Sequence, residues 1–377
     1  MDHGFPNMDA VRAAGTSRKS NGADFQNPHP LLDAAAFMDT FTNPDYIVDG
    51  IIQRGRVHAL TSMTGHGKTG LGLYLSYSIA TGRNIGNIEV SQGEVIIFAG
   101  ENPDDLCGRF YAACQFYDIN PAELPIRVMP GNFPMTPETA ETLKQQIDET
   151  GRPPALIIAD SAAAYFPGDD ENHNVQMGTY ARNLRILTGC KGNPAVVVLC
   201  HPTKAAAKDS LLPRGGGAFL NEIDVALTLW AEAQGETTTL HWQGKIRGAD
   251  FQPVNFVLKP VKLANKADAK GRPFVSVIAT LQTEAQAEKV EGQTTRDENT
   301  VLEWLRRSPG ISVGNIATNA HWVSESTDPN KVGVPNKAKV HRHLKSLASY
   351  KLAKNWRGKW QITDLGKAEL SGKSQPE

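Results

Sequence analysis

"SMTGHGKTG", residues 62–70, ends in Gly67-Lys68-Thr69. That is the ending of a phosphate-binding loop, G-x-x-x-x-G-K-[ST]. In such a loop, backbone N–H groups and a helix N-terminus face the phosphates. The lysine adds a point charge near the β and γ phosphates, and the Thr or Ser hydroxyl serves Mg²⁺. The usual first glycine is replaced here by Ser62. The flanks fit: "VHALTS" before it is an apolar strand, and "KTGLGLYLSYSIATG" after it is a helix ended by Gly82. Ser62, Thr64, Gly65, His66, Gly67, Lys68, Thr69 and Gly70 are therefore the expected nucleotide-binding residues, with ATP and Mg²⁺ as ligands. The plain alternative is a turn with an exposed lysine.

Around this stretch the chain of 377 residues is long enough for two domains. Hydrophobic residues at 40% and charged residues at 21% read as soluble and globular, and a net charge of -1 does not by itself announce nucleic acid. Cys107, Cys114, Cys190 and Cys200 form no C-x-x-C pair, which argues against a zinc ribbon or a disulfide framework. No long apolar run opens the chain, so no signal peptide, anchor or membrane partner is expected. The cytoplasm is the default compartment.

Residues 1–28 lack periodicity and are expected to be a flexible arm; 29–43 read as a linker with a short amphipathic helix. From Val57, strands and helices alternate. "GEVIIFAGE", "PALIIADS" and "PAVVVLCH" are apolar strands, the last two buried on both faces, and "TPETAETLKQQIDETG" is a helix capped by Thr136 with Pro137 at its first position. This pattern predicts an α/β fold with a mainly parallel sheet flanked by helices, spanning 44–283. After Asn221, "IDVALTLW", "TTTLHWQ", "VNFVLKP" and "PFVSVIATLQ" read as an added antiparallel region, and 284–295 as a polar linker.

Three strands end in polar groups. Asp160 ends one and is expected to hold the Mg²⁺ hydration shell; Glu101 ends another and is the candidate base for the attacking water; His201 ends a third, in reach of a γ-phosphate. Carboxyl ends of parallel strands are where open α/β sheets bind ligands. Each residue alone also reads as an ordinary strand-end polar group.

With these parts in order, residues 44–260 resemble the RecA-like ATPases, in the branch of DnaB-type replicative helicases and RepA-type plasmid and phage helicases. The resemblance implies Lys68 as phosphate lysine, Thr69 as Mg²⁺ hydroxyl, Glu101 as catalytic carboxylate, Asp160 as second-motif acid and His201 as sensor. "WQGKIRG" holds Lys245 and Arg247, similar to a pair that reaches the neighbouring subunit's γ-phosphate in such rings. Arg214 in "LLPRGGGAF" resembles a RepA-type segment and is a rival for that finger role or a DNA contact. The loop carrying Lys204, Lys208 and Arg214 corresponds to one facing the central channel, where single-stranded DNA would run. A homo-oligomer, hexameric in this branch, is implied.

Residues 296–372 read as helix, helix, helix, hairpin, an order that resembles a winged helix-turn-helix. From Lys331 to Lys359 there are nine Lys or Arg and no acid. Lys337, Lys339, Arg342 and Lys345 are expected on the outer face of the third helix, and Arg357 and Lys359 at the wing, as contacts to duplex DNA. The expected function is an ATP-driven DNA motor, a helicase of a mobile element. The alternatives are an ATP-switched DNA-binding regulator or loader, or a RecA-like recombination factor.

Overall fold

The computed structural model describes residues 31–204, 206–231, 237–324 and 333–372. The expected arm, residues 1–28, lies outside them. Residues 31–45 belong to a unit of their own. In it a short helix, α1 (Ala34–Met38), starts at Asp33, whose carboxylate accepts the Ala36 N–H at 2.8 Å. Leu31, Phe37, Met38 and Phe41 are all largely exposed.

From Tyr46 onward the frame is a nine-stranded sheet preceded by a two-stranded ribbon, β1 (Tyr46–Val48) and β2 (Ile52–Gln53). The sheet strands are β3 (Val57–Ser62), β4 (Glu94–Ala99), β5 (Ile126–Pro130), β6 (Pro154–Asp160), β7 (Ala195–Cys200), β8 (Val225–Ala231), β9 (Thr237–Trp242), β10 (Val254–Ala267) and β11 (Pro273–Leu281). Their order is β11-β10-β9-β8-β3-β7-β6-β4-β5. Strands β8, β3, β7, β6, β4 and β5 run parallel, and β9 to β11 are antiparallel. The expected α/β fold is therefore present, with one correction. "IDVALTLW" is not part of the antiparallel region: it forms β8, which pairs parallel to β3. The reason is burial on both faces, Val225 to Leu229 being wholly inside. The edge strand β5, half-exposed and without an apolar run, gave no signal in the sequence.

Alternate residues of each strand feed two cores. Leu60, Ile97, Ile158 and Leu199 face α2 (Lys68–Thr81) and α3 (Pro103–Tyr117); Ala59, Phe98, Ile157 and Val198 face α4 (Pro137–Glu149), the short α5 (Ala162–Tyr165), α6 (Asn174–Leu187) and α7 (Gly216–Glu222). Each fully buried aliphatic side chain contributes roughly 1.5–3 kcal/mol, which makes the central strands the most firmly held. The strands β10 and β11 then fold over the α2–α3 face. Arg109 donates to the Val277 carbonyl at 2.8 Å, and Gln115 exchanges bonds with Lys262 and Ala264.

The segment 284–295, expected as a linker, is helical. It opens α8 (Glu284–Arg307), which begins in a capping box between Thr283 and Gln286. Next come α9 (Val313–Asn319), α10 (Lys337–Ser349), a hairpin of β12 (Ala353–Trp356) and β13 (Lys359–Ile362), and α11 (Asp364–Leu370). Val301, Leu302, Leu305, Ile316, Val340, Leu344 and Leu347 form their common core. The hairpin turns at Arg357 and Gly358, with φ of 53° and 81°. Two left-handed residues match the twist of a two-residue hairpin. Among the described residues no helix is long and apolar enough to cross a membrane.

Candidate nucleotide site

The register of the sheet brings the strand ends level. Asp160 lies beside Ala99 on one side and Leu199 on the other, and Leu199 lies beside Leu60. Glu101, His201 and Ser62 each stand two residues beyond that row. Polar residues at or just past the ends of four strands therefore lie along one edge of the sheet.

The loop from Ser62 to Gly67 is shaped by Gly65 and Gly67, with φ of 84° and 89°. Such angles exclude most side chains. Gly67 carries a second constraint: a Cβ there would lie 2.6 Å from Leu258 Cδ2, so β10 presses directly on the loop. His66, between them, is held from β8 and β9. Its Nδ1 accepts the Ala231 N–H at 3.1 Å, its carbonyl accepts the Thr238 hydroxyl at 3.0 Å, and its ring meets Trp230 edge-on. Ser62 is fully buried within β3, its hydroxyl donating to the Met63 carbonyl at 3.2 Å. The strand exit thus accommodates a serine.

Lys68 is 8% exposed, and its Nζ donates to the Cys200 carbonyl at 3.1 Å. Burial lowers its pKa, against the pull of Cys200, Glu101 and Asp160. Asp160 is pushed up to about 6, chiefly by burial; the Thr69 hydroxyl opposes this, as do Lys68 and Arg109, while Glu101 adds to it. Asp160 Oδ1 is buried with no hydrogen-bond partner. An orphaned acidic oxygen beside a threonine hydroxyl fits a hydrated Mg²⁺, a hard cation that keeps its waters.

Gly100 and Glu101 both donate their backbone N–H to the Asp160 carbonyl, at 2.8 and 3.0 Å. This fixes the base of the Glu101 side chain while its carboxylate stays half-exposed, 3.9 Å from His201 Nε2. Burial, then Lys68, lowers the His201 pKa. The half-exposed Glu101 carboxylate thus stands beside the imidazole with a face open to solvent, the placement a general base needs.

Arg214 belongs to this site on its own chain. It lies close enough to depress the pKa of both Lys68 and His201. Its backbone N–H donates to the His201 carbonyl at 3.1 Å, and its Nη1 pairs with Glu171 at 2.9 Å. Its loop is closed by the Pro202–Pro213 bridge and by Thr203 on Leu212, with Lys204 and Lys208 exposed.

Lys245 and Arg247 stand elsewhere. Lys245 accepts the Ala226 N–H through its carbonyl, and Arg247 donates its backbone N–H to Asp224, which is itself bonded to Val57. They occupy the edge of the sheet where β3 begins, not where it ends. Five residue steps separate Val57 from Ser62, about 17 Å at ~3.3 Å each.

In the C-terminal module Lys337 and Lys345 are exposed on α10, Arg342 is half-buried, and Arg357 and Lys359 are exposed on the hairpin beside Trp356. Lys339 departs from expectation. It faces inward, paired with Asp297 of α8 at 2.7 Å and lying over the Trp322 ring at 4.2 Å. It sits one residue before Val340, on the margin of the packed face, where the helix turns it toward α8. Arg109, Glu171, Asp224 and Leu258 were not singled out by sequence reasoning. Of these, Asp224 alone carried a signal: an acid directly before an apolar strand.

A model of the AAA domain family matches residues 24–207, just under half of the chain. In its loop, its strand order and its polar strand ends, the region is similar to AAA-type P-loop ATPase domains. No curated protein matches the chain in sequence. Among solved structures, that of the RadB recombinase is 14% identical, with a TM-score of 0.41, over 55% of this chain and 89% of that chain.

Proposed function

We propose that this protein is an oligomeric, ATP-driven DNA motor, a helicase of the RepA/DnaB type from a mobile element. The observation that carries the reading is the position of Lys245 and Arg247 at the sheet edge opposite their own P-loop. From there neither reaches the chain's own nucleotide. Both are suited to a neighbour's, where a cation supplied in trans stabilises charge in phosphoryl transfer. Within one chain, Lys68 and the loop N–H groups hold phosphates, Thr69 and Asp160 hold Mg²⁺, Glu101 takes the proton of the attacking water, and His201 senses the γ-phosphate. A hexameric ring is the assembly this implies, with Lys204 and Lys208 toward single-stranded DNA in the channel.

The C-terminal module, read as a winged helix, supplies duplex contacts through Lys337, Lys345, Arg357 and Lys359. Its exposed basic hairpin also supports a second reading, an ATP-switched regulator or loader, in which DNA binding is sequence-selective and survives Lys68→Ala. A RecA-like recombination factor would instead form filaments, which electron microscopy with an ATP analogue separates from closed rings. The decisive assay is strand displacement with DNA-stimulated ATP hydrolysis. Hydrolysis without displacement in either polarity would end the helicase reading.

A further inference from the structure

A carboxylate with no exposed surface holds two arginines at the edge where β3 begins. Asp224 Oδ1 accepts from Arg247 Nη1 at 2.9 Å; its Oδ2 accepts from Arg185 Nη1 at 2.9 Å and from the Val57 N–H at 3.0 Å. Arg185 also donates to the Glu222 carbonyl, and Lys245 to the Asn221 carbonyl. Three cations thus crowd around one acid. Burial and then the charge of Arg247 depress the Lys245 pKa, and Asp224 opposes that.

Burying a carboxylate is costly, and strand β8 does not require one for its own pairing, since its backbone is already matched to β3 residue by residue. The distinctive effect of the acid falls on the arginines. Arg185, whose side chain is 34% exposed, lies largely covered, whereas that of Arg247 is 57% exposed and commits Nη1 to Asp224. A guanidinium has five N–H donors, so most of its fork stays free for a phosphate oxygen. Without the acid, like charges would drive Arg247 away from Arg185 and Lys245 into solvent, where a long side chain samples many rotamers.

Resting on the reading of Arg247 as a group delivered to a neighbour's nucleotide, we infer that Asp224 is its positioning residue. Asp224 fixes the guanidinium before the neighbour arrives, so that little order remains to be gained in the transition state. Through Val57 it also ties that guanidinium to β3, the strand whose other end becomes the chain's own P-loop.

The test is DNA-stimulated ATP hydrolysis by the full chain, comparing Asp224→Asn, Arg247→Ala and the double variant. Asp224→Asn is expected to lower kcat about 10- to 100-fold with KM for ATP little changed, and the double variant to be no worse than Arg247→Ala alone. Mixing Asp224→Asn with Lys68→Ala chains is expected to restore activity, because the intact arginine of one then meets the intact loop of the other. A purely structural role would not give that rescue. Arg247→Ala lowering kcat while Asp224→Asn leaves it unchanged would overturn the inference and spare the finger reading. An inert Arg247→Ala would overturn the finger reading itself. If Asp224→Asn does not fold, Asp224→Glu keeps the charge but displaces the guanidinium by one methylene; a fall in kcat is again expected, and an unchanged kcat overturns the inference.

Discussion

The backbone N–H of Glu101 donates to the carbonyl of Asp160 at 3.0 Å. The two acids therefore share one anchor across adjacent strands, although one is half-exposed and the other buried. Their roles separate by environment: Glu101 keeps a free carboxylate at the solvent edge, while Asp160 faces Thr69 from within. Glu101→Gln should leave nucleotide binding intact and lower kcat by roughly 10²–10⁴. Fluorescent-nucleotide titration beside steady-state hydrolysis checks both halves.

The buried loop lysine sets a sharper contrast. Lys68→Ala should abolish hydrolysis, because Lys68 is the cation that the loop holds against the Cys200 carbonyl at the strand ends. Ser62→Gly should leave hydrolysis largely intact, since among the described residues the serine hydroxyl bonds to the neighbouring Met63 carbonyl alone. Normal hydrolysis by Lys68→Ala would mean that the loop is not a phosphate site.

Asp160 gives a pH dependence of definite sign. Its folded-state pKa of about 6 lies above the unfolded value, so the folded chain binds the extra proton between the two. The stability this contributes is present below about pH 4 and lost as pH rises through about 6. Asp160→Asn should accordingly stabilise the nucleotide-free protein at pH 8, by on the order of 2 kcal/mol, and have little effect at pH 4. The same variant should lose Mg²⁺-dependent hydrolysis. Thermal melts at the two pH values, with and without Mg²⁺–ATP, read out both effects.

His343 runs the other way. It is buried, and its pKa is lowered to about 4, by burial first and against the attraction of Asp297. Between about 4 and 6.5 the unfolded chain takes the proton more readily, so stability present above 6.5 is lost as pH falls. The C-terminal module should weaken on acidification across that window, and His343→Leu should flatten the dependence. Tryptophan fluorescence follows it, because Trp322 lies against the His343 ring.

Two lysines six residues apart on α10, alike in the sequence, should behave differently. Lys339→Met leaves Asp297 buried without its 2.7 Å partner and should destabilise the module by about 3 kcal/mol. Lys345→Ala should leave stability unchanged, weaken DNA binding and reduce the salt slope by about one. Denaturation curves and binding isotherms over a salt series distinguish the two.

Much of this molecule was legible in its residues because apolar runs that end in a polar group locate both a strand and what the strand presents. Asp160, Glu101 and His201 were found that way, and the loop at Ser62–Gly70 by its spacing. What escaped depended on partners far away in the chain. Lys339 looked like an outward charge because nothing local reveals its partner Asp297, 42 residues earlier in the chain. Arg214 looked free for a neighbour because nothing local reveals Glu171 across the next loop. The requirement for glycine at position 67 comes partly from Leu258, which no spacing rule places above it. The parallel direction of β8 was missed because its place beside β3 follows from the crossover through α7, and the strand-like segments after it drew it into their antiparallel run.

The two halves of the proposed catalytic machinery lie at opposite ends of β3, the loop at one and Arg247 at the other. On the proposal that Arg247 serves a neighbour's nucleotide, the working unit is the junction between two copies, not the copy itself. An open row of chains always leaves one loop unserved and one arginine idle, so its capacity is one fewer than its length. Closing the row removes that deficit in a single step. Activity per chain should therefore climb with assembly size and reach its ceiling only at closure.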